Sequence, residues 1–429
     1  MVQSGWRYIW REVVLVGQPG RIAVIQTSMN IQSLLSLPPG MAGQIGELAP
    51  GVAAEWFAAS DPVGLKLGSG GGTAFLLREA WRRTGAGASF GDWLRASRKL
   101  IVHAGGQSRR LPAYAATGKA FIPVPVMRWA VGQRLEQTLL DLQAAFYRDI
   151  LARAAAQSVV MVTSGDVLLR SRGAWPKLPA VDILVVGLWV RPEQARQHGV
   201  FFCDRQQPDQ LRFALQKPSL EKIQELSAQY LFLVDTGIWL LSERAVNVLL
   251  KKCGGENLQP YEMYASMGLA LGSQPTAPDP DVSALTTAIV PMPQGEFYHF
   301  GTTRDLIRSV TALQSAVVDQ RQLGLTNVDP LPDQHTQNAV IQTGLRADQH
   351  LLWIENSHVA AGWQLPGEHM ITGAPANDWK LALPRGVCLD IVPVGESEFA
   401  IRPYGMDDSF RGPVGDPTTQ WLEIGRAHV

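Results

Sequence analysis

One stretch constrains the chain more than any other: Lys99 to Arg128, KLIVHAGGQSRRLPAYAATGKAFIPVPVMR. Its first six residues, Lys99 to Ala104, are mostly apolar and branched, the composition of a buried strand. Gly105 and Gly106 follow, where the backbone must turn tightly or lie close to a ligand. Arg109, Arg110 and Lys119 then bring three cations before the stiff Pro123-Val-Pro125 segment. A strand, a glycine turn and clustered cations, in that order, suit a polyphosphate held at the carboxyl end of a strand.

Two familiar phosphate folds fail on spacing. A P-loop needs GxxxxGK followed by Ser or Thr. Here the window Ala113 to Ala120 lacks the leading glycine and ends Gly118-Lys119-Ala120, without the hydroxyl. A GxGxxG fingerprint starting at Gly105 is also out of register. A second glycine-dense segment, SDPVGLKLGSGGGT, precedes the first at residues 60–73. Its glycines are expected to stay outside a helix, with helix beginning at Thr73 and the amides of Gly70, Gly71 and Gly72 offered to an anion. A plain flexible turn is the alternative.

Composition bounds the rest. The 429 residues allow two or three domains. With 38 basic and 38 acidic residues the net charge is zero, so bulk attraction to nucleic acid or anionic membrane is not expected. Cys203, Cys253 and Cys388 are far apart and read as reduced, buried thiols of a cytoplasmic protein. No apolar run reaches the ~18–20 residues that span a bilayer. Residues 1–28 do not read as a signal peptide. They are expected to be a non-native or disordered extension, with Met29 a better start. The tail 422–429 resembles translated adapter sequence, and the natural chain is expected to continue beyond about Trp421.

The order of patterns predicts fold class. Residues 29–60 read as a helical lead-in. Helices are expected over 131–157, 220–228, 243–252, 261–271 and 304–314, with Thr302 or Thr303 capping the last. Strands are expected at 158–163, 181–187, 199–203, 211–216 and 231–235. Strands interleaved with helices predict an α/β domain with a Rossmann-like, mixed but mainly parallel sheet. Beyond about Arg321 short apolar runs are punctuated by Pro, Gly, Asn and Asp. This predicts an all-β module of short rungs, β-helical in character, with the boundary near residues 323–334.

Other chemistry-bearing positions stay ambiguous on their own. Asp166, just past an internal strand, suits Mg²⁺ or merely caps a turn. Lys217 before Pro218 is a phosphate ligand or a solvated turn residue. Asp235 lies between apolar halves of a strand, where a charge is costly unless paired. His335, His350, His358 and His369 lack compact metal-ligand spacing and read as ordinary histidines.

Taken together, the ordered set GGQSRRL (105–111), Lys119, Gly165-Asp166, Gln216-Lys217-Pro218, Asp235-Thr-Gly-Ile238 and HFGT (299–302) resembles the sugar-nucleotide pyrophosphorylases. Longer phrases, among them HAGGQSRRLPAYAATGK, GLWV, HGVF, LQKPSL, GEFYHFGT and WIENSH, are similar to fucose-1-phosphate guanylyltransferases from about Met29 to Arg411. This includes the front part of bifunctional proteins that continue into a sugar-kinase domain. Ser108, Ala120, Gln216 and His299 depart from the wider family's pattern. The last removes an expected metal-binding aspartate.

The resemblance implies a nucleotidyltransferase domain over 29–322 and a β-rich module over 335–421. It implies GTP and L-fucose 1-phosphate as substrates, and GDP-L-fucose and pyrophosphate as products. Arg110 and Lys119 would clamp the triphosphate with Arg109 in support, and Lys217 would meet the sugar phosphate. Gly70 to Gly72, Gly105, Gly106, Gln107 and Ser108 would face the nucleotide, and Asp166 with Asp235 would hold Mg²⁺. Transfer to another sugar phosphate or from another nucleotide, a non-catalytic nucleotide-sugar binder, and a homo-oligomeric state remain open expectations.

Overall fold

The computed structural model describes residues 30–38, 40–62, 64–106, 108–115, 117–124, 137–317, 333–395 and 398–409. The expectations for residues 1–29, for the tail and for Gln107 lie outside them, as does most of the module boundary.

Strands β1 (Ile31–Ser36), β2 (Trp56–Ala59), β3 (Arg98–His103) and β4 (Ser158–Ser164) pair in parallel in the order β2-β1-β3-β4. Three further strands follow in the chain: β5 (Val167–Ser171), β6 (Ile183–Leu188) and β7 (Gly199–Asp204). Then come β8 (Leu211–Gln216), β9 (Tyr230–Ser242), β10 (Thr287–Pro291) and β11 (Gly295–His299). The long β9 runs antiparallel between β4 and β6, and β10 closes that edge parallel to β6. Every strand on this path except β9 therefore points the same way. A β7–β8 hairpin extends β9, and β5 pairs with β11.

The sheet is buried on both faces, so its strands are apolar throughout rather than alternating. In β3, Ile101 joins one core with Leu34, Leu77 and Trp239, while Leu100 and Val102 join the other with Tyr147 and Ile150. Lys99 is fully buried at the start of β3. Its ammonium donates to the carbonyls of Trp93 and Ser97 at 2.8 and 2.7 Å, completing the end of the helix Phe90–Ala96. The three cysteines are free and buried, and burial pushes each thiol up to about 12.

Several local expectations are corrected. Ile31–Ser36 is a strand rather than a helical lead-in, because pairing with both β2 and β3 decides it. Among the described residues of that region, Met41–Leu48 and Pro50–Glu55 are helical. Of the helix expected over 131–157, Leu139–Arg153 is present, started by a Thr138–Asp141 capping box; residues 131–136 lie outside the described set. Within 261–271, Met263–Met267 forms a wide π-type turn.

The glycine-dense segment is also corrected: the helix begins at Gly68, not Thr73, and runs to Thr84. Tertiary packing overrides propensity there. A Cβ on Gly70 would lie 2.6 Å from the Tyr261 ring, and one on Gly71 3.0 Å from the Gln259 carbonyl. The amides of Gly70 and Gly71 both donate to the Tyr261 carbonyl, at 2.8 and 3.1 Å. They are therefore not turned toward a ligand, as the sequence reading had them.

After the helix Thr303–Val317 come β12 (Gln334–Gln337), β13 (Val340–Ile341), β14 (Leu352–Glu355) and β15 (His358–Val359). β16 (His369–Thr372), β17 (Val387–Val394) and β18 (Glu398–Gly405) are the last strands among the described residues. β12, β14, β16 and β17 stack in parallel: Gln334 pairs with Leu352, Leu352 with His369, and Ile371 with Leu389. β13 and β15 form a second parallel pair at the same offset, Val340 against His358. β18 turns back antiparallel along β17.

The module is not isolated. Trp353, Met370, Cys388 and Tyr404 share one core with Leu111, Tyr114, Leu139, Phe300 and the helix Thr303–Val317. Thr302 caps that helix, its hydroxyl accepting from the Asp305 amide at 3.0 Å.

Candidate active site

The carboxyl ends of the parallel strands meet at one edge. The amide of Ala104, just past β3, donates to Ser36 at the end of β1, and that of Gly165, past β4, donates to His103. β9 runs the other way, so its early half reaches the same edge. Val162 faces Trp239 across β4 and β9. Beyond that pair Gly237 lies against Ser164, where an added Cβ would be 3.2 Å from the serine Cβ. The edge where parallel strands end is where α/β sheets bind ligands.

Asp166 is the centre of a charged cluster. Lys119 pairs with its Oδ2 at 2.9 Å, the Ser164 hydroxyl donates to Oδ1 at 2.6 Å, and His299 Nε2 lies 3.8 Å away. Burial opposes the charged carboxylate, but Lys119, His299 and Ser164 more than offset it and hold the Asp166 carboxyl well below the usual range. His299 extends the cluster to Asp305, Nδ1 to Oδ2 at 3.2 Å. Burial likewise works against the Asp305 charge, and His299, Thr302 and the nearby Arg110 charge outweigh it. The His198 ring lies 5.6 Å from that of His299, edge to face, and burial pushes it down to about 4.

Asp235 has no cation beside it in the same way. It accepts from the Gly237 amide at 2.8 Å and from Trp239 Nε1 at 3.2 Å, and burial raises it to about 7.

Lys119 reaches Asp166 because of the turn that carries it. The chain closes a series of backbone turns: Leu111 amide to Ser108 carbonyl at 2.8 Å, Tyr114 to Leu111 at 3.2 Å, Gly118 to Tyr114 at 3.0 Å. Ser108 stands at φ 43°, in the left-handed region that favours glycine. Gly118 is at φ 78°, and a Cβ there would lie 2.9 Å from the Ala104 carbonyl oxygen. Gly118→Ala is therefore expected to lower turnover at least ~10-fold, since strain of about 1–3 kcal/mol must shift Lys119 or β3. Steady-state kinetics on the folded variant checks this.

The sequence-derived residues fare unevenly. Lys119, Asp166 and Asp235 converge on this edge, and the exposed Arg110 lies close enough to act on Asp305. Gly105 and Gly106 are exposed just past β3, and Arg109 is partly buried. Lys217 is exposed at φ 47°, its amide donating to the His198 carbonyl at 3.0 Å. Gly72 is set beside Asp61 and His103 rather than in an open loop.

Sequence reasoning passed over His198, Ser164 and Asp305. Asp305 carried a signal, the Thr302-x-x-Asp305 capping pattern. His198 lay inside the HGVF phrase without an assigned role. The four histidines of the β module make local contacts, such as His369 Nδ1 to the Val387 carbonyl at 2.7 Å. Among the described residues no helix is long and apolar enough to cross a membrane.

His103, at the end of β3, shares a 2.8 Å hydrogen bond with Thr73, and burial pushes it down to about 4. Its folded value lies below the unfolded one, so the unfolded chain takes the proton first as pH falls. Stability is accordingly expected to be unaffected above about pH 6.5 and to fall between 6.5 and 4, by up to ~2–3 kcal/mol from this residue. Denaturant melts of the wild type and His103→Gln should show the slope reduced in the variant.

Residues 91–269 match the family model described as the fucose pyrophosphorylase domain. A Bacteroides fragilis protein named L-fucokinase/L-fucose-1-P guanylyltransferase is 48% identical over 392 residues, 91% of this chain and 41% of that protein. Human fucose-1-phosphate guanylyltransferase is 28% identical over 186 residues, 39% of this chain and 27% of that protein. The mouse protein of the same name is 33% identical over 113 residues, 26% of this chain and 17% of its own length. The chain thus matches less than half the length of each of these curated relatives. The matched segment 91–269 contains the glycine turn, Lys119, Asp166, His198, Lys217 and Asp235. Over residues 91–269 the chain is therefore similar to the fucose pyrophosphorylase domain.

Proposed function

We propose that the chain transfers a guanylyl group from GTP to L-fucose 1-phosphate, giving GDP-L-fucose and pyrophosphate. The observation that carries this reading is the gathering of Lys119, Asp166, His198 and His299 at one strand edge, the first three of them within the segment that matches the fucose pyrophosphorylase domain. The sugar phosphate is already a competent nucleophile, so no protein nucleophile or strong base is required. The obstacle is repulsion between two anions, and the remedy is in-line alignment with charge neutralisation.

Arg110 and Lys119, with Arg109, take the triphosphate, and Gly105, Gly106 and Ser108 let it approach the backbone. Lys217, beside His198, takes the incoming sugar phosphate. The carboxylates of Asp166 and Asp235 are hard oxygen donors. They suit Mg²⁺, which is usually held by one or two carboxylates together with substrate phosphates. When bound there, Mg²⁺ would neutralise charge on the reacting phosphate. His299, standing where the family's aspartate is usual, is tied to Asp305 and acts here by orienting Asp166.

A cavity of about 250 Å³ adjoins His198 and suits the sugar. Leu188, Val234 and Phe297 offer an apolar wall for the 6-deoxy methyl group, and His198 and Glu296 face the hydroxyls. The strand offsets of 17 or 18 residues in 334–389 support reading the C-terminal module as a short parallel β-helix.

Pyrophosphate release measured across GTP, ATP and UTP with several sugar 1-phosphates tests the assignment. Turnover is expected with GTP and L-fucose 1-phosphate in preference to other pairs. Stabilisation by GDP-L-fucose without any turnover would instead indicate a nucleotide-sugar binder.

A further inference from the structure

The WIENSH phrase in the β module is left without a role by the chemistry above, and Glu355 within it is a buried carboxylate. Its side chain accepts hydrogen bonds from the Tyr114 hydroxyl, from Trp353 Nε1 at 3.0 Å and, more distantly, from Asn356 Nδ2 at 3.5 Å. None of these partners is a cation. A carboxylate buried on neutral donors is costly, so a packing role alone would be better filled by an apolar side chain.

The strand explains how Glu355 reaches Tyr114. Residues two apart in β14 share a face. Trp353 and Glu355 face the nucleotidyltransferase domain, while Ile354 points into the module's own core with Val359 and Ile371. The next residue, Asn356, turns the chain at φ 48°, and Asn338, one rung earlier at φ 47°, donates to its side-chain oxygen at 2.6 Å. The stacked asparagines fix the corner at which Glu355 ends its strand.

Tyr114 lies in the middle of the loop that presents the cations. Its carbonyl accepts from Gly118, the residue before Lys119, and its amide donates to Leu111, the residue after Arg110. The loop has a second backbone anchor, the Arg110 carbonyl, which accepts from the Thr303 amide at 3.0 Å. The Glu355–Tyr114 contact is a side-chain hydrogen bond that ties it to the β module.

We propose that Glu355 is a positioning residue: through Tyr114 it holds the Arg110–Lys119 loop in the geometry the transfer step needs, which makes the β module part of the catalytic apparatus. The inference rests on the phosphate-binding role assigned to that loop. A displacement of about 1 Å in a positioning group can cost ~10²-fold in rate, so the contact should be visible in kcat rather than in ground-state binding.

The test compares Tyr114→Phe, Glu355→Leu, Glu355→Gln and the double variant Tyr114→Phe/Glu355→Leu. Tyr114→Phe and Glu355→Leu are each expected to lower kcat at least ~10-fold, with KM for both substrates within about threefold. Glu355→Gln, which keeps an acceptor, should recover most of that loss, and the double variant should be no slower than the worse single one. In parallel, amide hydrogen exchange over residues 108–119 should quicken in Tyr114→Phe and Glu355→Leu while the sheet strands stay protected. Kinetics within twofold of wild type in folded Tyr114→Phe, fully multiplicative losses, or unchanged exchange over 108–119 would each overturn the proposal. If Glu355→Leu does not fold, Tyr114→Phe and Glu355→Gln decide. A wild type without transfer activity would overturn the proposed reaction instead, and the exchange measurement would then decide the role of Glu355 by itself.

Discussion

Asp166→Asn is expected to lower pyrophosphate release by at least ~10²-fold, corresponding to about 2.7 kcal/mol of transition-state stabilisation. Asparagine keeps the shape and one acceptor oxygen, enough to accept from Lys119 while its amide nitrogen donates to the Ser164 hydroxyl, but it carries no charge. The proposed reaction brings two phosphates together, and on that reading the carboxylate would hold a divalent cation between them. Lys119 and His299 keep Asp166 ionised despite its burial. The deficit in the variant should therefore hold across neutral and mildly alkaline pH. The side chains of the Lys119–Asp166 pair are only 15% and 25% exposed, so removing one partner also destabilises the fold, on the order of 1–3 kcal/mol. Thermal melts must accompany the kinetics, and full turnover in a folded Asp166→Asn protein would remove Asp166 from the mechanism.

Lys119→Ala is expected to produce a loss of similar size, at least ~10²-fold, for a different reason. In the proposed reaction the lysine would supply positive charge to the triphosphate as negative charge moves toward the departing pyrophosphate. The Lys119 ammonium pairs with Asp166 at 2.9 Å. Arginine is not an adequate replacement, because a compact ammonium fits between Asp166 and a phosphate where a planar fork does not. Lys119→Arg should thus recover little. The double variant Lys119→Ala/Asp166→Asn is expected to fall well short of the product of the two single losses, because the residues act on one another as well as on substrate. Single-turnover kinetics at saturating GTP measures this coupling free of product release, and independent, multiplicative losses would mean that the pair does not act as a unit.

Much of this site was legible in the sequence because its parts are local. The run Lys99–Ala104 followed by Gly105-Gly106 reads as a strand ending in a glycine turn, and β3 is that strand. Asp166 and Lys119 could be singled out because each sits at a fixed step from a glycine. The misreadings have a common physical origin. Gly68 to Gly72 look unfit for a helix until the segment at residues 259–262 is packed against them, nearly two hundred positions away. Ile31–Ser36 is ambiguous until β2 and β3 flank it. The convergence of Asp305 and His198 on His299 depends on three separate elements and leaves no sequence spacing to read. The same holds for Glu355, whose partner Tyr114 lies 241 positions away. Propensity and period report the local chain. Long-range packing supplied what they could not.

The ordered roles of Lys119, Asp166 and Lys217 all serve one claim, that this strand edge joins a guanylyl group to L-fucose 1-phosphate. The most direct measurement is the ratio of kcat/KM for GTP with L-fucose 1-phosphate to that for every other pairing in a panel of nucleoside triphosphates and sugar 1-phosphates, read as pyrophosphate release and product mass. A preference of at least ~10²-fold for that pair, with GDP-L-fucose as the product, is the predicted result. Equal rates across the panel, or a preference for another base or sugar, would contradict it.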